Sequence, residues 1–434
     1  MLFESTRDAA HRLPLADALR RGLAVDGGLY VPQSIPTVDL EALARAESLS
    51  TLAARMLAPF AADDALETTL GDVAADAFSF PAPMTDIGSA PGPLSVLELF
   101  HGPTAAFKDF GARFLAAALE RLRRDEERRC TILVATSGDT GGAVAAAFHG
   151  RPWVQVVVLY PRGLVSARQQ QQLACWGGNV RTLSVAGTFD DCQSLVKGAF
   201  ANPTLAQELG LSSANSINVG RLLPQMVYYA QASLALAAHD RAPPNFIIPT
   251  GNLGNALACI WAREMGLPIG DIVLATNANR TVVDYVSAGV WRPRPSVATL
   301  ASAMDVGNPS NLERLRWFDP GRVALRGRLD ALSVSDDEIL ETIRRDWRDY
   351  GRAWCPHTAT AACVYRRLPA TRRSARWVIV ATAHPAKFDE IVEPLTGTTL
   401  PVPGPLAEIL ARPRFERQIA ANPEELHEAL LEYR

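Results

Sequence analysis

The chain of 434 residues is too long for one compact core, so we expect two or three domains. Its net charge of -3 gives no basis for binding nucleic acid or an anionic membrane, and no apolar run is long enough to predict a membrane span. The six cysteines form no C-x-x-C pair, and the N-terminus lacks the apolar core of a signal peptide. These features indicate neither a zinc cluster nor a disulfide framework, and they favour a reducing cytoplasm.

The first 95 residues have the composition of a helical domain. Short segments rich in alanine and leucine predict helices. Residues 26–32 and the proline-rich residues 80–83 interrupt them. The sequence therefore predicts a mostly helical N-terminal domain.

Beyond residue 95 the pattern changes to short runs of β-branched residues that alternate with helical segments. Because these runs are apolar without alternation, they predict parallel strands that are buried on both faces. The predicted strands cover residues 131–135, 153–160, 180–185, 246–248, 271–276 and 377–382. This pattern is typical of an α/β fold, here with more than one sheet.

Two of the intervening helices have readable boundaries. Ser335 and Glu338 form a capping box that predicts a helix as far as Tyr350, with Gly351 as the stop. Ser166 is positioned to cap a helix that runs through the glutamines at 169–172.

Lysine is rare in this chain, and its rarity draws attention to Lys108. Only three lysines accompany forty arginines. A lysine amine can lose its proton and bond covalently to a carbonyl, which a guanidinium cannot do. Lys108 is therefore a candidate for a Schiff base, with Lys197 and Lys387 as competitors. The alternative is that codon usage left three surface lysines by chance.

Two glycine-rich loops, at residues 136–142 and 249–255, follow predicted strands and lead into predicted helices. Small residues let backbone N–H groups approach a ligand, and a helix N-terminus adds partial positive charge. Neither loop has the P-loop or the G-x-G-x-x-G pattern. One such turn often only closes a fold. Two of them beside a Schiff-base candidate predict a site for two anionic groups and an aldehyde.

Three further features are less specific. Residues 215–221 include two amides, a hydroxyl and Arg221, which suits phosphate, although taken alone the segment favours a capped turn followed by a solvated arginine. Thr382 closes a predicted central strand, where its hydroxyl could face a ring nitrogen or cap the strand. We expect His357 and His384 to be structural, and no residue spacing predicts a metal site.

Together these segments resemble the threonine synthase family, which comprises pyridoxal-phosphate enzymes of fold type II with the tryptophan-synthase-β-like fold. The matching stretches follow the family's order and span nearly the whole chain. The lysine segment at 98–111 and the asparagine-rich segment at 214–221 are specific to the family, whereas the glycine loops are shared with its relatives.

The resemblance implies two open, mostly parallel sheets flanked by helices, preceded by the helical N-terminal domain. We assign residues 1–95 to that N-terminal domain. Residues 96–240 would hold the cofactor lysine and a smaller α/β domain. Residues 241–434 would form a larger α/β domain with the phosphate loop and the C-terminal elements.

The resemblance also implies a role for each site residue. Lys108 would hold pyridoxal 5'-phosphate as a Schiff base and then move protons, and Thr382 would bond to the pyridine nitrogen. The cofactor phosphate would lie against the backbone N–H groups of Gly251, Asn252, Leu253, Gly254 and Asn255. The substrate carboxylate would be held by Ser137, Gly138, Asp139 and Thr140. The substrate phosphate would be bound by Ser216, Asn218 and Arg221.

Two positions depart from the family's pattern. Leu253 stands where phenylalanine is common, and Cys355 stands where an acidic residue is common. Backbone contacts to a phosphate survive the first change. The second removes a carboxylate that could otherwise contribute to domain closure or substrate contact.

The implied reaction converts O-phospho-L-homoserine and water to L-threonine and phosphate, as a lyase of threonine biosynthesis. We expect a cytoplasmic monomer or homodimer with a small-molecule substrate and no nucleic-acid or membrane partner. One alternative is a phospholyase that performs the same elimination without adding water at Cβ and so releases 2-oxobutyrate. Another is a non-catalytic protein that binds a phosphorylated metabolite. In the enzyme, burial and neighbouring positive charge should depress the pKa of Lys108.

Overall fold

The β-branched runs of the sequence form the central strands of two parallel sheets. The computed structural model describes residues 1–88, 90–123, 130–319 and 327–432. All six predicted strands form, and their ends shift by no more than one residue. In chain order the strands are β1 (Leu2–Ser5), β2 (Arg12–Pro14), β3 (Tyr30–Pro32), β4 (Met84–Asp86), β5 (Leu94–Glu98), β6 (Cys130–Ala135), β7 (Val154–Pro161), β8 (Val180–Ala186), β9 (Leu211–Ser212), β10 (Asn245–Pro249), β11 (Ile272–Thr276), β12 (Leu329–Ser333), β13 (Trp377–Ala381) and β14 (Glu416–Ala420).

The helices alternate with these strands over most of the chain. In chain order they are α1 (Leu15–Arg21), α2 (Leu40–Ala44), α3 (Leu49–Ala61), α4 (Leu70–Ala77), α5 (Lys108–Leu122), α6 (Asp139–Phe148), α7 (Ala167–Ala174), α8 (Phe189–Ala201), α9 (Pro203–Leu209), α10 (Val219–Leu222), α11 (Met226–Asp240), α12 (Gly254–Glu264), α13 (Thr281–Ala288), α14 (Leu312–Phe318), α15 (Asp336–Tyr350), α16 (Pro356–Arg367), α17 (Ala370–Arg373), α18 (Asp389–Thr396), α19 (Gly404–Leu410) and α20 (Pro423–Leu431). Both predicted capping boxes form, at Ser166 and at Ser335, and α15 ends at Gly351 as expected.

The larger sheet has the strand order β12-β11-β10-β13-β5-β4. Its strands are parallel except for β4, which pairs antiparallel with β5. The smaller sheet has the order β14-β8-β7-β6-β9, and all its pairs are parallel. Parallel strands need crossovers, and the helices that supply them cover both faces.

The sheets do not follow the linear order of the chain. Strand β5 precedes the lysine segment yet pairs with β13 in the larger sheet. Strand β14 lies near the C-terminus yet pairs with β8 in the smaller sheet. The domain boundaries at residues 96 and 241 stay a prediction. Each sheet combines strands from distant parts of the chain, so neither sheet corresponds to one continuous segment.

The N-terminal region combines helices α1 to α4 with a small antiparallel sheet, β2-β1-β3, that the sequence did not predict. Phe110, on α5, connects this region to the rest of the core. Its ring lies 4.5 Å from that of Phe80 and 5.4 Å from that of Tyr228, measured between centroids. Burying such a ring contributes about 2–3 kcal/mol, so α5 is anchored on two sides.

No helix among the described residues is both long enough and apolar enough to cross a membrane.

Candidate active site

Lys108 is the first residue of α5, and the loop before it is fastened to the end of β13. Phe107 donates its N–H to the carbonyl of Thr382 at 2.9 Å, and Ala106 forms a bridge with Ala383. Ala105 has a φ of 52°, a left-handed conformation that is costly for a residue with a Cβ. The loop is therefore held in a strained shape that places Lys108 beside Thr382.

The three lysines have different surroundings. Lys197 is exposed on α8. Lys387 is completely enclosed, with its Nζ 2.7 Å from the Asp139 carboxylate and 2.9 Å from the carbonyl of Thr104. Lys108 keeps some accessible surface, and within the described residues its amine has neither a hydrogen bond nor an ion pair. Lys108 is thus the partly buried lysine whose amine is free to react.

The electrostatic surroundings of Lys108 favour the neutral amine. Burial lowers its pKa to about 8; Asp139 opposes this shift, and the positive charges of Arg221 and Lys387 add to it. A neutral amine is the form that bonds to a carbonyl or removes a proton. The expected depression of the pKa is therefore present.

The first glycine loop turns β6 into α6 around Thr136. The Thr136 hydroxyl accepts from the N–H groups of Gly138 and Gly141 at 3.0 and 2.9 Å. Gly138 has a φ of 133°, and a Cβ there would lie 2.5 Å from the Gln169 side chain. Glycine is therefore required at this position, which leaves residues 137–140 at the start of α6.

Asp139 makes an ion pair that the sequence did not predict. Its carboxylate contacts Lys387 and accepts from the Gln169 amide at 3.3 Å. Burial alone would raise the pKa of Asp139, but the positive charges of Lys387 and Lys108 outweigh burial and hold it below its usual range. Because Asp139 begins α6 and Lys387 follows β13, the pair joins the two sheets across the site.

The second glycine loop turns β10 into α12 and presents unsatisfied donors. Among the described residues, the backbone N–H groups of residues 251–255 have no acceptor. Leu253 has a left-handed φ of 65°, and a Cβ on Gly251 would lie 2.7 Å from the Met304 Cα. The side-chain nitrogen of Asn255, Nδ2, is also buried without a hydrogen-bond partner among the described residues. A loop of free N–H groups at a helix N-terminus fits a phosphate group.

Asn252 connects this loop to the asparagine-rich segment. Its amide nitrogen donates to the Ser216 hydroxyl at 2.6 Å, and its side-chain oxygen accepts from the N–H of Ser310 at 2.6 Å. The Ser216 hydroxyl accepts in this contact, so its own proton is available to another acceptor. The structure thus brings together Ser216 and Asn252.

Asn218 and Arg221 are more deeply buried. The Asn218 side chain caps α10 through the N–H of Gly220 at 2.9 Å and donates to the carbonyl of Leu19 at 2.8 Å. Arg221 donates to the carbonyl of Ala214, and its Nε is buried without a partner. Burial lowers the pKa of Arg221 to about 10, so the guanidinium stays charged at neutral pH.

Thr382 lies at the end of β13, beside the start of α16. Its N–H donates to the hydroxyl of Thr358 at 3.3 Å. Cys355 caps α16, with its sulfur accepting from the N–H of Thr358 at 3.4 Å. The thiol therefore caps the helix at the position where the sequence resemblance implied an acidic residue.

His357 lies in the first turn of α16, next to Thr358. Its Nε2 accepts from the N–H of Ala303 at 3.0 Å, so the proton of the neutral ring is on Nδ1, which is buried without a partner. Burial lowers its pKa to about 4; Asp139 opposes this shift, while Lys108 and Lys387 reinforce it. The ring is therefore neutral.

Among the described residues, an unpaired lysine amine and a loop of free backbone N–H groups follow two parallel strands, β5 and β10, of the larger sheet, and this combination is typical of the class of enzymes that use pyridoxal phosphate. A family model described as pyridoxal-phosphate dependent enzyme matches residues 90–383. Models described as the threonine synthase N terminus and the threonine synthase C-terminal region match residues 2–78 and 358–430. The chain belongs to the threonine synthase family.

Known proteins of this family are similar over their whole length. Threonine synthase of Escherichia coli K12 is 39% identical over 97% of both chains. The crystal structure of the E. coli enzyme has a TM-score of 0.91 at 37% identity, and each chain is covered completely. The pyridoxal-phosphate-bound threonine synthase of Brucella melitensis has a TM-score of 0.92 at 35% identity and covers 100% of this chain and 99% of its own.

These similarities confirm the resemblance inferred from the sequence, the type II fold and the cofactor. They also confirm that the chain is an enzyme, which excludes the non-catalytic alternative. Sequence reasoning missed two buried cations, Lys387 in its pair with Asp139 and Arg314 on α14. The rarity of lysine was a signal for the first. Arg314 is one arginine among forty and carried no signal.

Proposed function

We propose that this enzyme converts O-phospho-L-homoserine and water to L-threonine and phosphate, with Lys108 as the residue that binds the cofactor and moves the protons. The observation that carries the proposal is the unpaired Lys108 amine, with its pKa lowered to about 8 by burial. When bound, pyridoxal 5'-phosphate supplies a carbonyl carbon for the amine and a ring that stores the electrons released at the substrate carbons.

Lys108 would act as both a base and an acid during turnover. With a pKa of about 8, the amine is neutral in a useful fraction of molecules near neutral pH and can still return a proton. Lys197 is exposed and Lys387 is ion-paired, so neither competes for this role. Proton removal and return at successive carbons would therefore fall to one nitrogen.

The cofactor would be held at its two ends. Gly251, Asn252, Leu253, Gly254 and Asn255 would donate their backbone N–H groups to its phosphate. The Thr382 hydroxyl would bond to the ring nitrogen, because the contacts of Phe107 and Thr358 fix the Thr382 backbone next to Lys108. Replacement of phenylalanine by Leu253 leaves the backbone donors in place.

The substrate carboxylate would bind at the N-terminus of α6. Ser137 and Thr140 would contribute hydroxyls and Asp139 its backbone N–H group, whereas Gly138, whose N–H is bonded to Thr136, would contribute the turn that lets the substrate approach. The Asp139 side chain is paired with Lys387, which keeps its negative charge engaged. Recognition at this end would therefore use the helix N-terminus rather than the Asp139 carboxylate.

The substrate phosphate would bind between Ser216 and Arg221. The Ser216 hydroxyl has a proton to donate, and Arg221 supplies a charge that stabilises the departing phosphate. Both polar groups of the Asn218 side chain bond within the protein. Asn218 would therefore contribute by fixing the turn that carries Ser216 and Arg221.

Incubation of the holoenzyme with O-phospho-L-homoserine tests the reaction. We expect L-threonine and inorganic phosphate in equal amounts. Phosphate accompanied by 2-oxobutyrate instead of threonine would contradict the proposal. Our expectations that the enzyme works in the cytoplasm, as a monomer or homodimer and without nucleic acid, stay predictions that cell fractionation, light scattering and nucleic-acid binding assays check.

A further inference from the structure

Arg314 is completely buried and is not part of the cofactor and substrate sites proposed above. Its guanidinium donates to four oxygens, which are the carbonyls of Tyr30, Ser216 and Ile217 and the side-chain oxygen of Asn311. Among the described residues, no carboxylate lies within ion-pair distance of it. Burying a charge without a partner ordinarily costs several kcal/mol, so the position of Arg314 calls for a functional explanation.

The hydrogen bonds of Arg314 converge on both anion-binding segments. Its Nη2 donates to the carbonyl of Ile217 at 2.6 Å and its Nη1 to that of Ser216 at 3.3 Å. Nη1 also holds Asn311 at 2.6 Å, and the Asn311 amide donates to the carbonyl of Asn252 at 3.0 Å. One guanidinium therefore fixes the backbone beside Ser216 directly and the loop at Asn252 through a single side chain.

The N-terminal domain reaches the site through the same residue. The Arg314 Nε donates to the carbonyl of Tyr30, at the start of β3, at 3.0 Å. The adjacent Glu313 bonds to Thr6 at 2.6 Å and to Arg7 at 2.9 Å, so its carboxylate is already engaged. Helix α14 thus ties the N-terminal sheet to the segment at 216–217.

Among the described residues, the carboxylate that acts on the charge of Arg314 is that of Glu313, which is already paired with Arg7. Burial lowers its pKa to about 9, which still leaves the guanidinium charged at neutral pH. A cation that bonds only to neutral oxygens polarises them, and a bound phosphate would provide the missing negative charge. The positive charge of Arg314 therefore favours an anion that binds on the opposite side of the peptide groups whose carbonyls accept from it.

We infer that Arg314 is a positioning residue for phosphate recognition, which orients Ser216 and the loop at Asn252 and places an uncompensated positive charge behind them. The inference rests on the proposed function for the identity of the substrate phosphate. It does not depend on it for the binding of phosphate as such. A merely structural arginine would stabilise the fold without favouring anions.

Three variants separate these possibilities. Arg314→Met removes the charge and the hydrogen bonds, and Arg314→Lys keeps the charge but cannot bond to all four oxygens. Arg263→Met is the matched control, because Arg263 is also buried, at the C-terminal end of α12, and bonds to the carbonyls of Gly270 and Arg328. Each variant is compared with the wild type by its thermal melting temperature.

The decisive measurement compares pyridoxal 5'-phosphate with pyridoxal, which lacks the phosphate, as ligands of the apoenzyme. We expect Arg314→Met to weaken binding of pyridoxal 5'-phosphate about tenfold or more, which corresponds to about 1.4 kcal/mol, with little change for pyridoxal. Inorganic phosphate should inhibit the Arg314→Met holoenzyme less strongly, and KM for the substrate should rise more than kcat falls. Arg314→Lys should recover part of each effect, and Arg263→Met should show none.

Equal losses for pyridoxal and its phosphate, or unchanged phosphate inhibition, would overturn the inference and leave Arg314 as a structural residue. If Arg314→Met does not fold, the Arg314→Lys comparison alone decides, because it must still discriminate between the two ligands. A wild-type enzyme that makes no threonine would refute the proposed function while the phosphate-dependent effect remained. The two failures are therefore distinguishable.

Discussion

Lys108 combines three properties at one residue: it begins a helix, its amine is unpaired among the described residues, and burial lowers its pKa to about 8. A side chain kept in this state is poised to react rather than to stabilise the protein. The same burial that activates the amine disfavours its charged form, so reactivity is obtained at a cost in folding free energy.

Replacing Lys108 should remove the covalent link to the cofactor. We expect Lys108→Ala to lose activity and to give no pyridoxyl-labelled peptide after borohydride reduction, since Lys197 and Lys387 cannot substitute for it. Peptide mapping of the reduced holoenzyme is the measurement. Lys197→Ala, which changes an exposed lysine on α8, is the control and should label as the wild type does. A label on Lys387 would refute this assignment.

The stability of the apoenzyme should depend on the protonation of Lys108. Its pKa is about 8 in the folded chain and 10.5 as the ordinary value, so the unfolded chain binds more protons between these pH values. Stability attributable to this residue therefore rises as the pH increases from about 8 to 10.5, and the full cost applies below about 8. At pH 7, Lys108→Met should stabilise the apoenzyme by about 3 kcal/mol, because each unit of the pKa difference corresponds to about 1.4 kcal/mol.

Urea unfolding of the apoenzyme at pH 7 and pH 10 measures this effect. The advantage of Lys108→Met should shrink at the higher pH, whereas Lys197→Met should change little at either. A difference between wild type and Lys108→Met that is the same at both pH values would show that titration of Lys108 is not its cause.

At the scale of elements, the ion pair of Asp139 and Lys387 joins α6 to the segment after β13. Both side chains are buried, with a separation of 2.7 Å. Breaking a buried pair leaves one charge uncompensated, which typically costs about 3–5 kcal/mol. The loss of stability when one partner is removed is therefore larger than the net stabilisation that the intact pair provides.

A double-mutant cycle tests this view of the pair. Lys387→Met should lower the free energy of unfolding by about 3 kcal/mol, because it removes the cation that is paired with the buried Asp139 carboxylate. Asp139→Asn combined with Lys387→Met should recover part of that loss, which chemical denaturation measures. Strictly additive losses would mean that the two side chains do not interact.

The central elements could be predicted from sequence because their signals are local. Valine-rich runs such as residues 154–161 combine β-branched residues with the length of a strand, and Ser335 with Glu338 specifies a helix start within one turn. Strand β14 is different: its residues are mostly polar and partly exposed, and only its pairing with β8 makes it a strand. The small N-terminal sheet was missed for a similar reason, since its strands are three or four residues long.

The residues of the site also fall into two groups: those that the local sequence indicates, and those whose contacts depend on the three-dimensional arrangement. Lys108 and the two glycine loops are marked by residue type and by their place after strands, so the sequence alone indicated them. The contacts of Lys387 with Asp139 and of Arg314 with Ser216 join residues far apart in the chain. They depend on how the sheets are arranged, which a single sequence does not state.

At the scale of the whole molecule, the smaller sheet includes one strand from the C-terminal segment. After β13 of the larger sheet, the chain returns to the smaller sheet, where β14 pairs with β8 and covers its edge. Ile419 on β14 and Leu426 and Leu430 on α20 complete the core on that side. The smaller sheet therefore depends on residues from the end of the chain.

Ending the chain at Pro403 should expose that edge. We expect the truncated protein to aggregate, because an uncovered parallel strand with apolar neighbours is a template for pairing with another chain. Size-exclusion chromatography checks this, with the full chain as the reference. Ile419→Ala is a milder variant that should remain folded and lose about 2–4 kcal/mol of stability. A monodisperse truncated protein would contradict this account of β14.

The fastening of the Lys108 loop to residues 382 and 383 has a consequence for biosynthesis. During synthesis, Lys108 leaves the ribosome about 270 residues before the strand that anchors its loop and before Lys387, whose amine pairs with Asp139. A nascent chain therefore exposes the reactive amine well before the pocket around it can form, and specific binding of the coenzyme must wait until β13 and Lys387 have emerged.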